Sequence, residues 1–530
     1  MLVINTQNRT MDYSSNNVIA NDVCRQFEVK KIVKSIDAPD DEATLLIEVK
    51  KNHTESRFFE LPTSAIVGID SLIGKLVANG LTLDHYMKHS ASMYLMDGYR
   101  LCQNDDRYEY RHNSLGWFDY EGKDVFLYDQ SKVDETHISK YIKPFKFKNG
   151  DKQAYIDFLK NEMFPVPTLA LALTIGYSAV VSSKLKDSCD IGTIIVNLCG
   201  ASSTGKTTAE QLLVSPFACP IISNKYGLVH TFHSTANALF ESIDGIHGLP
   251  IVLDDITTNK NINVENLLYT ISSGEEKMRC QQDGSLKETK SGFDGVVVIS
   301  SEYPVYDLAS ENQGLKARVI HTQGITWTPN AETAERIKAF VSNNYGFTGI
   351  DFANYVATIK DLKPRYDQAK TETHKLMKER DNLSDRLESK YAIFYLTIEL
   401  LNECFDLDLN VCEMMKILLA PEQESLAERD IGKKALSVIN DYIIKKMKHF
   451  KIINHNNKFQ DFKDSNGDHL GTIRHEEGKI DVFIPTADIN KLLKDSGINE
   501  YVSVKKKWIS EGVLVGDTGR TDCKHLGRRC

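Results

Sequence analysis

The sequence predicts a multidomain α/β protein: a small N-terminal α+β domain, a parallel-sheet nucleotide-binding core, a helical lid region and a C-terminal winged-helix-like domain. Three observations predict it. Gly200-Ala-Ser-Ser-Thr-Gly205-Lys206-Thr207 reads G-x-x-x-x-G-K-[ST], a phosphate-binding loop. Thr193-Ile-Ile-Val-Asn-Leu198 before it suits a buried parallel strand, and Thr208-Ala-Glu-Gln-Leu-Leu213 after it suits a helix start. Further on, Pro250-Ile-Val-Leu-Asp254-Asp255 is a second apolar strand that ends in two acids. A chain of 530 residues is also too long for one core.

Residues 1–20 are polar and Ser/Asn-rich, and read as a loose arm. Residues 24–135 are mostly β, with helix over 63–97. Ala43 to Val49 and Ser56 to Leu61 flank a Lys-Asn-His-Thr turn, and Gly116 to Tyr120 and Val125 to Tyr128 flank Glu121-Gly122-Lys123; both read as hairpins. This first domain, 1–137, carries no catalytic constellation. Residues 138–150 form a basic linker ending at Gly150. Alternating helix and strand to 330 is the pattern of an α/β nucleotide domain. Residues 331–450 are almost wholly helical, with Arg365 to Lys390 dense in alternating charge, as in a solvated helix. The tail, 451–530, mixes strand and helix.

Composition excludes several classes. Apolar content of 41% and charged content of 26% are those of a globular protein, and a net charge of −9 argues against a basic nucleic-acid coat. Ten scattered cysteines include no C-x-x-C pair, so a zinc site and a disulfide scaffold are not expected and a reducing cytoplasm is. No N-terminal signal segment is visible. The most apolar run, Val166 to Val181, is broken by Pro167, Gly176 and hydroxyls, and reads as a buried helix rather than a membrane span.

The loop's residue types define its chemistry. Backbone N–H groups of Gly200, Ser203, Thr204, Gly205, Lys206, Thr207 and Thr208 would cradle the phosphates of a nucleotide, ATP or GTP. Lys206 would reach the β- and γ-phosphates, and Thr207 would ligate Mg²⁺. A carboxylate on a neighbouring strand completes such a site: Asp254 for the metal, Asp255 to orient or deprotonate the attacking water. Val296-Val-Val-Ile-Ser300-Ser301 is a third apolar strand. Ser300 and Ser301 are candidates to touch the γ-phosphate or its water, and equally for a local strand-end role. Arg318, entering a fourth strand at Val319-Ile-His321, is the candidate to stabilise transition-state charge on a neighbouring subunit's nucleotide; a local ion pair is the alternative. Between the second and third strands, Lys277, Arg279, Lys287 and Lys290 flank Asp283-Gly284. This is a cationic hairpin suited to a channel holding a phosphate backbone, or else a plain solvated hairpin.

The tail supplies a second cationic group. Pro485-Thr to Gly497 reads as a helix begun by a cap-like Thr, Tyr501 to Ser510 as another, and Gly512 to Thr521 as a wing. Residues 503–530 hold seven Lys/Arg against three acids. Lys505, Lys506, Lys507 and Arg520 are candidate DNA contacts, with a protein-binding winged helix as the alternative. A GTPase is disfavoured because Asn224-Lys225-Tyr226-Gly227 has Gly where Asp would read guanine. A small-molecule kinase is disfavoured by the length of the chain.

The order of phosphate loop, Asp-Asp strand, hairpin, polar-ended strand and strand-edge Arg resembles the AAA+ helicases with a pre-sensor hairpin, the MCM-like and superfamily 3 group. A longer string is similar to the MCM-like replicative helicases of bacterial mobile elements, cassette-chromosome and island types included. It comprises His230-Thr-Phe-His-Ser-Thr-Ala-Asn237-Ala-Leu-Phe-Glu241, then Asp254-Asp255, then Ser273-Gly274-Glu-Glu-Lys277-Met-Arg279, then Ser300-Ser-Glu302. The likeness covers roughly 100–330 well and the C-terminal tail less well, and is not visible in residues 1–90. It implies an AAA+ ATPase core, a homohexameric ring with ATP and Mg²⁺ between subunits, single-stranded DNA in the pore or duplex at an origin, and element-encoded replication partners. The family usually carries Asn where this strand ends Ser-Ser, and Arg336 is the candidate second sensor. The expected function is ATP-dependent DNA unwinding in replication of a mobile element, in the cytoplasm and without a membrane partner. The alternative is a nucleotide-dependent switch or scaffold that assembles on DNA or protein without unwinding.

Overall fold

Five short strands build the central sheet. The computed structural model describes residues 2–5, 10–15, 18–20, 27–38, 42–50, 56–81, 88–134, 136–231, 236–256, 263–274, 292–305, 318–377, 384–429, 431–453, 459–460, 470–476, 479–498, 501–514, 524–525 and 528–529. The chain forms two units, residues 1–378 with 382–419, and residues 379–381 with 420–530.

In the first unit the central strands are β1 (Ile194–Cys199), β2 (Val229–Thr231), β3 (Ile251–Asp254), β4 (Val296–Ser301) and β5 (Val319–His321). They lie in the order β2-β3-β4-β1-β5. Every pairing is parallel, with Ile194 opposite Val296 and Cys199 opposite Ser301 across β1 and β4. All residues of β1 and β4 are buried, which is why these strands read as continuous apolar runs rather than alternating ones. Strand order reverses at β1, so a crevice opens beyond its carboxyl end, where open α/β sheets bind ligands.

Helix α1 (Pro167–Cys189) begins with Pro in its first turn and ends at Asp190 in the left-handed conformation. Among the described residues it is the one helix with the length and hydropathy to cross a bilayer, and 83% of its apolar window is buried inside the protein. It is a core helix, as its hydroxyls and glycine suggested. Gly176 permits a close crossing with α2 (Lys206–Val214): a Cβ there would stand 2.2 Å from the Leu213 carbonyl oxygen. Helix α3 (Val264–Ser273) is capped by the Asn263 side chain and ends at Gly274, φ +73°. In the helical region, α4 (Ala331–Asn343) packs on α2, and α5 (Ser384–Phe405) packs on α1.

The N-terminal region bears out both hairpins. Thr44–Lys50 pairs antiparallel with Ser56–Pro62, and Leu115–Tyr120 with Lys123–Leu127. The second turns through Glu121 and Gly122, both at positive φ, as a two-residue hairpin turn requires. Two readings change. The first twenty residues include three antiparallel strands, Leu2–Asn5, Thr10–Ser15 and Val18–Ala20, because the β-formers Val3, Ile4, Thr10, Tyr13, Val18 and Ile19 favour pairing over a free arm. The supposed linker starts as a strand, Ile138–Tyr141, parallel to Tyr108–His112, and places Phe147 in the main core.

In the second unit, helices Ile431–Lys446, Thr486–Asp495 and Tyr501–Ser510 surround a core of Ala435, Ile439, Leu493, Val504 and Trp508. The Trp508 indole N–H donates to the Gly432 carbonyl at 3.0 Å. Pro485, not Thr486, is the N-cap of the middle helix. The Thr486 hydroxyl is turned inward without a partner and caps nothing. The turn proposed as a wing falls largely on 515–523, outside the described residues; Lys524–His525 pairs with Arg528–Arg529 beyond it.

Candidate functional site

The phosphate loop lies between β1 and α2, at the point where strand order reverses. Gly200, Ser203 and Gly205 all have positive φ, the backbone that lets the loop turn tightly between β1 and α2. Gly205 (φ +84°) is irreplaceable twice over, since a Cβ there would come 2.5 Å from the Thr328 hydroxyl. Gly205 is also the N-cap of α2 and gives it no side-chain cap, so the helix's first N–H groups are not used up by a cap side chain. The Lys206 ammonium is held over the loop by the Gly200 and Ala201 carbonyls, at 2.7 and 3.0 Å. Behind the loop, the Trp327 N–H donates to the Thr204 carbonyl and the Thr168 hydroxyl to the Trp327 carbonyl. Thr207 is half-buried and Thr208 buried. Trp327 and Thr328, far along the chain, support the loop with no motif to announce them.

The acids end β3, one strand removed from β1. Ser300 on β4 joins them: its hydroxyl donates to Asp254 Oδ1 at 3.0 Å and accepts the Asp255 N–H at 2.8 Å. That bond holds Asp255 in the left-handed conformation, φ +53°. Of the two roles open to Ser300, the structure displays a local one, the orientation of both acids. Ser301 is buried; it donates to the Tyr303 carbonyl at 2.5 Å and accepts from Asn197 Nδ2 at 2.8 Å. Asn197, the polar residue in β1, also donates to the Ile299 carbonyl and accepts from the Val305 N–H, so both ends of its amide are engaged. Asn within Ile-Ile-Val-Asn-Leu was the signal for this hub.

Glu210 on α2 is fully buried beside Asp254 and Ser300. Burial, and then the Asp254 charge, push its pKa well above the usual carboxylate range. The donor set of Thr207 hydroxyl and Asp254 carboxylate, with the buried Glu210 carboxyl close by, is hard oxygen chemistry and fits a hydrated Mg²⁺.

The Arg318 guanidinium stacks over the Tyr269 ring of α3 at 4.7 Å, and its carbonyl accepts from Lys390 Nζ at 2.7 Å. Burial, with the Arg318 charge adding to it, pulls Lys390 down to about 8. Lys390 thus belongs to a contact between α5 and β5, not to a solvated charged stretch. Arg336 on α4 pairs with Glu162. Lys277, Arg279, Lys287 and Lys290 lie outside the described residues. The residues on either side of that segment meet, the Phe293 N–H donating to the Gly274 carbonyl at 2.9 Å. In the tail, Lys506 and Lys507 are exposed, whereas Lys505 is 5% exposed and faces inward beside Val504. Arg520 is outside the described residues.

Against known proteins, the model of a family described as a domain of unknown function, DUF927, matches residues 3–291, more than half of the chain. The chain belongs to the DUF927 family. In this DUF927 protein the matched span takes in the phosphate loop and both acids. A second model, the Cch helix turn helix domain, matches residues 430–526, a span that takes in the helices Ile431–Lys446, Thr486–Asp495 and Tyr501–Ser510. Among solved structures, a chain described as SCCmec type IV Cch, active helicase, superposes with a TM-score of 0.69 at 20% identity, covering 98% of this chain and 95% of that one. At that identity the likeness establishes a shared fold. No curated protein matches the sequence.

Proposed function

We propose that the protein is an ATP-dependent DNA helicase acting in replication of a mobile genetic element, built on an AAA+ core with a C-terminal winged helix. The observation that carries this reading is the β2-β3-β4-β1-β5 parallel sheet, with a phosphate loop at its reversal point and Ser300-clamped acids one strand away. That arrangement supports nucleotide hydrolysis, because phosphate cradle and water-orienting acid share one crevice. The shared fold with a chain described as an active helicase, and the helix-turn-helix match, support DNA as the object of the work.

In this reading the loop N–H groups and Lys206 bind the triphosphate. Thr207 and Asp254 hold Mg²⁺, which supplies charge neutralisation at the phosphate oxygens. Asp255 orients the attacking water and takes its proton. Arg318 serves the nucleotide of the next subunit in a homohexamer, so Tyr269 and Lys390 set where its backbone and side chain start from. The segment with Lys277, Arg279, Lys287 and Lys290 grips the strand in the pore. Its flanks meet at Gly274 and Phe293, at the end of the helix that carries Tyr269, which gives nucleotide state a route to that segment. Lys506, Lys507 and Arg520 meet duplex phosphates. Residues 1–137, 138–330, 331–450 and 451–530 act as N-terminal domain, ATPase core, lid and DNA-binding tail.

The test is unwinding of forked DNA with ATP, using substrates with only a 3′ or only a 5′ tail. Wild type separates one of them and Lys206→Ala neither, with ATP turnover lost as well. ATP turnover stimulated by DNA without strand separation would replace the helicase with the switch or scaffold.

A further inference from the structure

Glu210 follows Lys206 by one helical turn, and a helical side chain at that offset leans back over the turn before it. That turn carries Lys206 and Thr207. The rest of α2 from Ala209 to Val214 is buried, and its apolar members, Ala209, Leu212, Leu213 and Val214, have no exposed surface. Glu210 is equally buried, yet no backbone N–H or cation is hydrogen-bonded to its carboxyl. It faces Asp254 at the end of β3 and Ser300 in β4. Asp254, by contrast, has one oxygen taken by Ser300 and is half-buried.

A buried carboxyl with another acid beside it and no cation bonded to it is among the costliest groups a core can hold. A leucine of similar volume would serve the helix–sheet contact better, as it does at 212 and 213. Local violations of this kind cluster where function requires them. Two acids pressed together from different elements also need something to reconcile them. A hydrogen bond between them, or a cation in front of them, does so.

We propose that Glu210 is a positioning residue of the magnesium site, bonding the Asp254–Ser300 pair from behind so that Asp254 turns its other oxygen to the cation. This rests on the nucleotide-site reading above. Partners behind a metal ligand fix its orientation and are worth about 10- to 100-fold in metal affinity.

The test compares full-length wild type, Glu210→Leu and Glu210→Gln in binding a fluorescent ATP analogue, with increasing Mg²⁺ and with EDTA, together with thermal melting. The expected result for Glu210→Leu is a Mg²⁺ requirement raised by about 10- to 100-fold, an unchanged affinity in EDTA, and a melting temperature equal to or above wild type. Glu210→Gln, which keeps a hydrogen-bonding head, stays close to wild type. An unchanged Mg²⁺ requirement in Glu210→Leu overturns the proposal. So does a lower melting temperature with equal loss of binding with and without Mg²⁺, which marks a purely structural residue. A Gln variant as defective as the Leu variant also overturns it, since the hydrogen bond would then not be what matters. If wild type binds the analogue normally and only the Glu210 expectations fail, the nucleotide site stands. If wild type binds no nucleotide, both fail.

Discussion

Ser300 shows how one hydroxyl can fix two acids with different tasks. It donates to the Asp254 carboxylate and accepts from the backbone of Asp255, so one group orients both residues to which the proposed reading gives metal and water roles. Substituting Ser300 by Ala removes both bonds without touching either acid. ATP turnover is expected to fall by about 10- to 100-fold while nucleotide affinity holds. Asp255→Asn contrasts with it: binding persists and turnover falls by at least about 100-fold. Steady-state turnover beside equilibrium nucleotide binding separates the two outcomes. The role of Ser300 could not be read from Val-Val-Val-Ile-Ser-Ser, because that string shows a strand end and not which carboxylate lies across the sheet.

At the scale of elements, α1 organises the first unit. It crosses α2 closely at Gly176, where a side chain would meet the backbone of Leu213 rather than a movable group. Gly176→Val should therefore cost about 3 kcal/mol, the upper range for overpacking, measured by denaturant unfolding. It should also perturb nucleotide binding, because α2 carries Lys206 and Thr207. The helix itself was legible from its apolar run. The crossing was not, since a glycine in a helix does not say what approaches it. Strand β2 escaped notice for a related reason: Val229-His230-Thr231 is too short and too polar to stand out, and only its parallel register with Val252 to Asp254 makes it a strand.

At the scale of the molecule, Asp294 ties the N-terminal hairpin layer to the core. It accepts from Ser183 on α1, His247 Nδ1 at 2.8 Å and Lys186 at 3.2 Å, beside the strands that pair with Leu115–Tyr120. Burial works against its charge, yet the His247 hydrogen bond and charge, with Ser183 and Lys186, hold its pKa below the ordinary 3.8. Its folded value is depressed, so the stability it confers is present above pH 3.8 and is lost as pH falls through the folded value. Asp294→Asn should cost about 3 kcal/mol near neutral pH, and the gap to wild type should close in acid below the ordinary value. Thermal unfolding across pH reads this. Assembly has its own test. If Arg318 serves the next subunit's ATP, then Arg318→Ala and Lys206→Ala proteins, each inactive alone, should recover part of the ATP turnover when mixed. No recovery would place Arg318 in a purely local role on Tyr269.

Contiguous residues are enough to specify the Gly-rich strand–loop–helix turn, the acid-ended strand, both N-terminal hairpins, the helical region and the helices of the tail. Each is written in contiguous residues: Gly spacing, apolar runs, a Glu-Gly turn, the 3.6-residue period. Only the tertiary structure decided that Asn197 and Ser300 bridge strands, that Glu210 is sealed against Asp254, that Lys390 turns inward to Arg318, and that Lys505 points away from its two neighbours. Those facts depend on which distant element covers a given face. Local periodicity reports that a face exists, and register between strands far apart in the chain determines what meets it.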